Sequence, residues 1–206
     1  MTQPGIIFTI GHSTHPQEYL IDLLRHYSIT ALCDVRSRPF SGWSQQFNRN
    51  ELEDVLPRCG IEYRFLGKEL GARSDDPNCY QSGRIQYDLL AKTELFRSGL
   101  KRVLNGVRRG FRVVLMCAEK EPLECHRTIL IGRHLDLLGV EVKHIHADGQ
   151  LEIHSDAISR LVRDLFPEDD LFLTSRELVE LAYRRQGDRI AYVMNNEEDL
   201  RRRAAE

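Results

Sequence analysis

The chain has 206 residues, of which 41% are hydrophobic and 29% charged, with a formal net charge of −2. These values predict one packed core with a small appendage and exclude a fibrous or disordered chain. A net charge so near zero also excludes a surface attractive to nucleic acid all over, so any anion site must be local.

No stretch reaches the roughly 18 apolar residues of a membrane span, and no basic-then-apolar leader opens the chain. The cysteines are odd in number, at 33, 59, 79, 117 and 125, and Cys33, Cys59 and Cys117 lie in or near apolar runs. The expectation is a cytoplasmic protein with reduced thiols and no membrane contact.

In chain order, residues 6–10 (IIFTI) form a β-branched and aromatic run that stops at Gly11, as a buried strand does. Thr14 with Gln17 has the spacing of a capping box, and Pro16 suits a first helical turn. The helix that follows places Tyr19, Leu20, Leu23, Leu24 and Tyr27 on one face. Residues 30–35 predict a second strand, ending at Asp34, Arg36 and Arg38. A Gly-broken loop through Trp43 leads to Asn48, which with Glu51 again resembles an N-cap. Pro57 and Gly60 should end that helix. Residues 61–66 alternate as a third strand.

Residues 67–83 lack periodicity, and so long a loop suits a lid or binding loop. Helical spacing returns over 85–109, divided by Ser98-Gly99 into two helices. Residues 111–117 are a fourth strand. A helix opens near Cys125, carries Ile129, Leu130, Leu135 and Leu138, and closes at Gly139; residues 140–145 are a fifth strand. Strands alternating with helices predict an α/β fold, a mostly parallel sheet of about five strands flanked by helices in a Rossmann-like three-layer arrangement.

The remainder reads as a small C-terminal helical extension, giving units of 1–150 and 151–206. It holds a helix over 157–165, an acidic hinge at Glu168, Asp169 and Asp170, and a capped helix from Thr174 and Glu177. A small strand at 190–193 and a solvated tail with Arg201, Arg202 and Arg203 complete it.

The stretch 113–127, VVLMCAEKEPLECHR, is the centre of the chain. It delivers Cys117, Glu119, Cys125, His126 and Arg127 to the mouth of one strand–loop–helix unit. Parallel neighbours would bring His12 and Ser13, and Asp34, Arg36 and Arg38, to the same edge, where open sheets bind ligands. A helix start near residue 125 would hold an anion on its backbone N–H groups. Arg127 with Arg36 or Arg38 would add bidentate contacts, and the same field would lower a thiol pKa there. The plainer alternative makes Cys125 a packing residue and His126 a surface residue at a helix end.

Cys117 is either a core cysteine or a nucleophile. A cysteine phosphatase needs arginine six positions after its thiol, and residue 123 is Leu, which argues against that chemistry. Zinc ligation by Cys117, Cys125, His126 and His12 is possible in residue type, but the spacing matches no known zinc motif and no CxxC occurs. No metal and no cofactor is expected. His144 and His146 point the same way from a strand; with His154 they offer ligands, but the expected role is as solvated strand-end residues. Asp34 suits a general base or the partner that orients Arg36 or His12, with charge pairing the expected role, and Glu119 is a candidate acid or base beside His12, or a charge-pairing residue. Phe40 and Trp43 beside arginines suit base stacking or loop anchoring.

TIGHS at 9–13, DVRSRPFS at 34–41, LGAR at 70–73 and MCAEKEPLECHR at 116–127 resemble the motifs of the DUF488 family, a bacterial and archaeal family of unassigned activity. The resemblance spans roughly residues 6–150 in the expected order and stops before about 170. Ala72 stands where the family often has a second glycine. The resemblance implies a compact α/β fold whose motifs form one site, and it implies no reaction.

The resulting candidates are His12, Asp34, Cys117, Glu119, Cys125 and His126 for chemistry, and Ser13, Arg36, Arg38, Ser41, Arg73 and Arg127 for substrate. The expected function is an enzyme acting on an anionic substrate: phosphorylated, nucleotide or nucleic-acid. The expected partner is a small anionic ligand or a nucleic-acid end, with the oligomeric state left open. The alternatives are a non-catalytic nucleotide or nucleic-acid binding module, and a thiol redox sensor using Cys117 and Cys125.

Overall fold

The most apolar runs become the inner strands because helices cover both of their faces. In a computed structural model, which describes residues 5–167 and 172–194, five strands run parallel: β1 (Ile7–Gly11), β2 (Ala31–Asp34), β3 (Glu62–Phe65), β4 (Val113–Cys117) and β5 (Val142–Ile145). A sixth, β6 (Leu151–Ile153), pairs antiparallel with β5, and the order is β3-β2-β4-β1-β5-β6. The central β1 and β4 are buried at every position, which is why their sequences are apolar runs without alternation. Edge strand β3 alternates, with Tyr63 buried and its neighbours Glu62 and Arg64 exposed.

The period of two divides the core. Phe8, Ile10, Leu32, Val114 and Met116 pack with α1 (Gln17–His26) and α2 (Arg49–Arg58) through Leu20, Leu24, Leu52 and Leu56. Ile7, Cys33, Val113, Leu115 and Cys117 face the other way, onto α3 (Glu94–Arg108) and onto the helix after β4. That helix is wound as a π-helix over Arg127–Gly132 and continues as α4 (Arg133–Leu137). The parity of β4 therefore aims Cys117 at the π-turn. A third cluster joins Leu123 and Ile129 to α5 (His154–Leu165) and α6 (Ser175–Ile190) through Ile158, Leu161 and Tyr183. Among the described residues no helix is long and apolar enough to cross a membrane.

Several local expectations are corrected. Thr14 does not cap α1: Pro16 holds that position with no side-chain bond, and Gln17 donates instead to the Gln46 carbonyl. Asn48 does precede α2, but its Oδ1 accepts from Ser41 N at 2.7 Å rather than from the helix. Ser98-Gly99 does not divide a helix. The division falls before Thr93, whose Oγ1 accepts from Phe96 N, and α3 runs unbroken through Gly99. Gly99 serves close packing: a Cβ there would lie 2.7 Å from the Glu69 Cβ.

Residues 151–153, assigned to the extension, form β6. At the other end α6 runs through Ile190, and Val193 makes only an isolated bridge to Arg84. Pro57 is the penultimate residue of α2, as expected, and Thr174 with Glu177 forms a full capping box. The acidic stretch 168–170 and the arginines at 201–203 lie outside the described residues.

Candidate active site at the strand ends

The register of the sheet brings the three polar clusters together. Gly11 lies beside Cys117, and Asp34 beside Met116. The ladder runs on past the strands: His12 N donates to the Cys117 carbonyl, Ser13 N to the Ala118 carbonyl and Val35 N to the Met116 carbonyl. His12, Asp34, Arg36, Cys117 and Glu119 thus share one rim, as expected of neighbouring parallel strand ends.

Two networks form there. The first is organised by Arg36, which is 7% exposed. Its Nε and Nη2 donate to the two oxygens of fully buried Asp34 at 2.9 and 2.6 Å. Nη2 also donates to the Phe47 carbonyl, and Nη1 donates to His12 Nε2 at 3.1 Å. Tyr63 OH donates to Asp34 at 2.8 Å. His12 Nδ1 donates to the Ser13 carbonyl, and its ring stacks on Phe47 at 4.4 Å. Burial first, and Arg36 beside it, hold the His12 pKa down at about 4, so the ring is neutral and accepts from Arg36.

The second network is the cysteine cluster. His126 Nε2 donates to the Val35 carbonyl at 3.1 Å, which turns Nδ1 toward both sulfurs, 3.8 Å from Cys117 and 3.7 Å from Cys125. Cys125 Sγ and Glu119 Oε2 are hydrogen-bonded at 2.9 Å. Burial alone would raise the Cys125 thiol. The Cys117 thiol donating to it, the Arg127 guanidinium and His126 outweigh burial and hold it well below its ordinary value. Cys117 is pushed up as the donor to Cys125 and by burial. Glu119 is raised by burial and by the Cys125 charge. For His126, burial opposes the proton, but Cys125 and Glu119 prevail and raise its pKa.

A cleft of about 270 Å³ opens above this cluster. Cys117, Glu119 and His126 line it, with Arg36, Ser37, Arg38 and Arg73 around them and Tyr192 on the far side. The Arg73 guanidinium stacks on the Tyr192 ring at 4.0 Å.

The structure corrects the expected roles of several residues. Arg127 is wholly buried: Nη1 donates to the Glu119 carbonyl and Nη2 to the Lys120 carbonyl, so it holds the loop rather than a ligand. The helix start is occupied as well. Arg127 N donates to Cys125 Sγ, and the N–H groups of Thr128 and Ile129 donate to the Cys125 carbonyl. The group that meets this helix start is the protein's own Cys125 sulfur. His12 and Asp34 do not line the cleft; they position Arg36. Ser13 contributes its carbonyl to His12, and Ser41 Oγ accepts from Trp43 N and Ser44 N, folding its own loop. Neither serine lines the cleft. Trp43 is 99% exposed, so it does not anchor the loop.

Sequence reasoning missed Ser37, Tyr63, Phe47 and Tyr192. Ser37 Oγ accepts from Arg73 N and sets that arginine in place. Its signal was available, since it sits between two candidate arginines. Tyr192 gave none, because it is brought in from the far end of the chain. The C-terminal helices clamp the loop below it: Gln186 donates to the Leu123 carbonyl at 2.7 Å, and Arg160 bridges Glu121 and Glu152.

His144 and His154 are likewise corrected. They are not solvated but fully or nearly fully buried, in the chain Thr9–His144–His154–Tyr183 with links of 2.8, 3.0 and 2.9 Å. His146 pairs separately with Glu152.

No curated protein and no solved structure matches the chain. The sequence profile described as a domain of unknown function, DUF488, matches residues 16–133, which carries Arg36, Arg38, Arg73 and the whole cysteine cluster. With more than half of its length in that match, the chain belongs to the DUF488 family.

Proposed function

We propose that the protein is an enzyme acting on an anionic substrate, a phosphorylated compound, a nucleotide or a nucleic-acid end, bound in the cleft at the strand ends. One observation carries this: three guanidinium groups, from Arg36, Arg38 and Arg73, line the same cleft as Cys117, Glu119 and His126. Asp34 neutralises Arg36, so the net positive charge of the cleft comes from Arg38 and Arg73. A cavity of about 270 Å³ suits a small group or a chain end, not a duplex. The overall charge of −2 supports a local anion site in the same way.

In this reading Arg38 and Arg73 hold the anion, with Arg36 fixed in place by Asp34 and His12. Beneath it, Glu119, Cys125 and His126 share protons and supply acid–base exchange to the reacting group. Calorimetric titration with inorganic phosphate, adenosine monophosphate and a short oligonucleotide tests the binding half. The Arg38→Ala/Arg73→Ala double variant should bind the best of these about tenfold or more weakly, for the loss of charge-assisted contacts. Equal affinity in the double variant and the parent removes the reading.

A further inference from the structure

Cys117, Cys125 and His126 each offer one ligand atom, and these atoms all lie within 4.8 Å of one another. The two nitrogen-to-sulfur separations, 3.8 and 3.7 Å, lie at the outer end of hydrogen bonding to sulfur. They also match a metal-ligand geometry. Zinc–sulfur bonds of about 2.3 Å and zinc–nitrogen bonds of about 2.0–2.1 Å, set at the tetrahedral angle, give a nitrogen–sulfur edge of roughly 3.6 Å. We propose that Cys117, Cys125 and His126 form a binding site for zinc, or an ion of the same preference, with the fourth coordination position open to the cleft beside Glu119.

Three further features support the site. His126 donates its outer N–H to the Val35 carbonyl, the arrangement that fixes a ligating imidazole and leaves the other nitrogen free for a metal. The backbone N–H of Arg127 is directed at Cys125 Sγ, an outer donor to a ligand sulfur. All three side chains are buried, with exposures of 3, 1 and 6%. A divalent ion bound by two thiolates carries no net charge, so the assembly suits a dry pocket in a way that separate ionised groups do not. Cys117 and His126 also line the cleft, so an ion held here is reached from it, and Glu119 Oε2, 2.9 Å from Cys125 Sγ, stands next to it.

Sequence spacing argued against zinc because short CxxC pairs are the usual signature. Here the first ligand ends a strand and the other two open a helix, and the fold closes the distance that the loop leaves. The inference stands apart from the proposed substrate: the ion would bind whether or not the arginines hold an anion.

The full chain, reduced and stripped with a chelator under nitrogen, is titrated with zinc and with cobalt(II). One equivalent should bind, and the cobalt form should show a thiolate-to-cobalt charge-transfer band and the intense visible bands of tetrahedral coordination. Cys117→Ser and Cys125→Ser should each diminish the charge-transfer band. His126→Ala should weaken binding by more than the ~10–100-fold typical of losing an outer-shell partner. Cys59→Ser, outside the cluster, should match the parent. Should the cluster variants fail to fold, alkylation of the parent decides: zinc should protect Cys117 and Cys125, by peptide mapping, and leave Cys59 labelled as before. No stoichiometric uptake, an octahedral cobalt spectrum, unchanged binding by the cysteine variants or no protection overturns the site. So does a Cys117–Cys125 disulfide in protein that takes up no ion after reduction, which would make the two a redox pair.

Discussion

Arg127 Nη1 donates to the backbone carbonyl of Glu119 across 2.7 Å. A fully buried guanidinium thus fixes the position of the carboxylate that stands beside the cysteine cluster. Arg127→Ala removes the largest fully buried side chain and leaves two carbonyls without their donor. The expected cost is about 3–5 kcal/mol, from the cavity and the lost charged hydrogen bonds together. Urea denaturation measures it, and a loss below about 1 kcal/mol would mean the loop holds itself.

Gly11 and Glu119 are tied by space rather than charge. A Cβ at residue 11 would fall 1.8 Å from the Glu119 carbonyl oxygen and 3.2 Å from Arg127 Nη2. Only glycine lets the loop after β4 cross the end of β1. Gly11→Ala should lower stability by about 1–3 kcal/mol through overpacking and displace the Glu119 loop. The check is a thermal melt combined with the alkylation rate of Cys117, which should rise; an unchanged rate would show the loop unmoved.

Asp34 is the anchor of the Arg36 network. Asp34→Asn leaves a buried guanidinium without its counter-charge and should cost about 3–5 kcal/mol. Tyr63→Phe removes one hydrogen bond to the carboxylate and should cost about 1.5–3 kcal/mol. If the two act through one network, the double variant should cost less than the sum of the singles. Strict additivity in denaturant midpoints would dissolve the network.

The histidine pair predicts an acid response. Burial holds His154 down at about 4 from its ordinary 6.5, and burial with His154 beside it holds His144 well below. Above pH 6.5 both are neutral in the folded and the unfolded chain, and the contribution is fully present. As pH falls from 6.5 toward 4 the unfolded chain takes up protons that the folded chain refuses, so stability declines across that window. For His154 alone the loss is about 3 kcal/mol. Denaturation at a series of pH values should show it, and His154→Gln should flatten the slope. An equal slope in the variant would assign the response to other groups.

Much of this was readable along the chain. The runs at 6–10, 30–35 and 111–117 announced strands because each is apolar enough to be covered on both sides, and 61–66 announced an edge strand by its alternation, with 140–145 completing the five. Where strands are parallel neighbours, their carboxyl ends share a rim. That topological fact makes His12, Asp34, Arg36, Cys117 and Glu119 candidates for one place from the sequence alone. What composition left ambiguous was packing at single positions. Gly99 looked like a helix break, and it is a contact point for Glu69 and Leu70. Leu151 and Ile153 looked like the start of a separate segment, because three residues are too few for a period to register.

Side-chain direction belonged to the tertiary structure alone. Arg127, Arg38 and Arg73 carry the same charge and the same reach, yet burial beneath the Glu119 loop commits Arg127 to backbone carbonyls, while Arg38 and Arg73 meet the cleft. His144 could not be told from a solvated histidine, since its partners are Thr9 and His154, 135 residues back and 10 ahead. Residue type and spacing specify which groups a chain can offer at each strand end. Which way each group turns depends on neighbours distant in sequence, and that decides whether a charge serves the fold or a ligand.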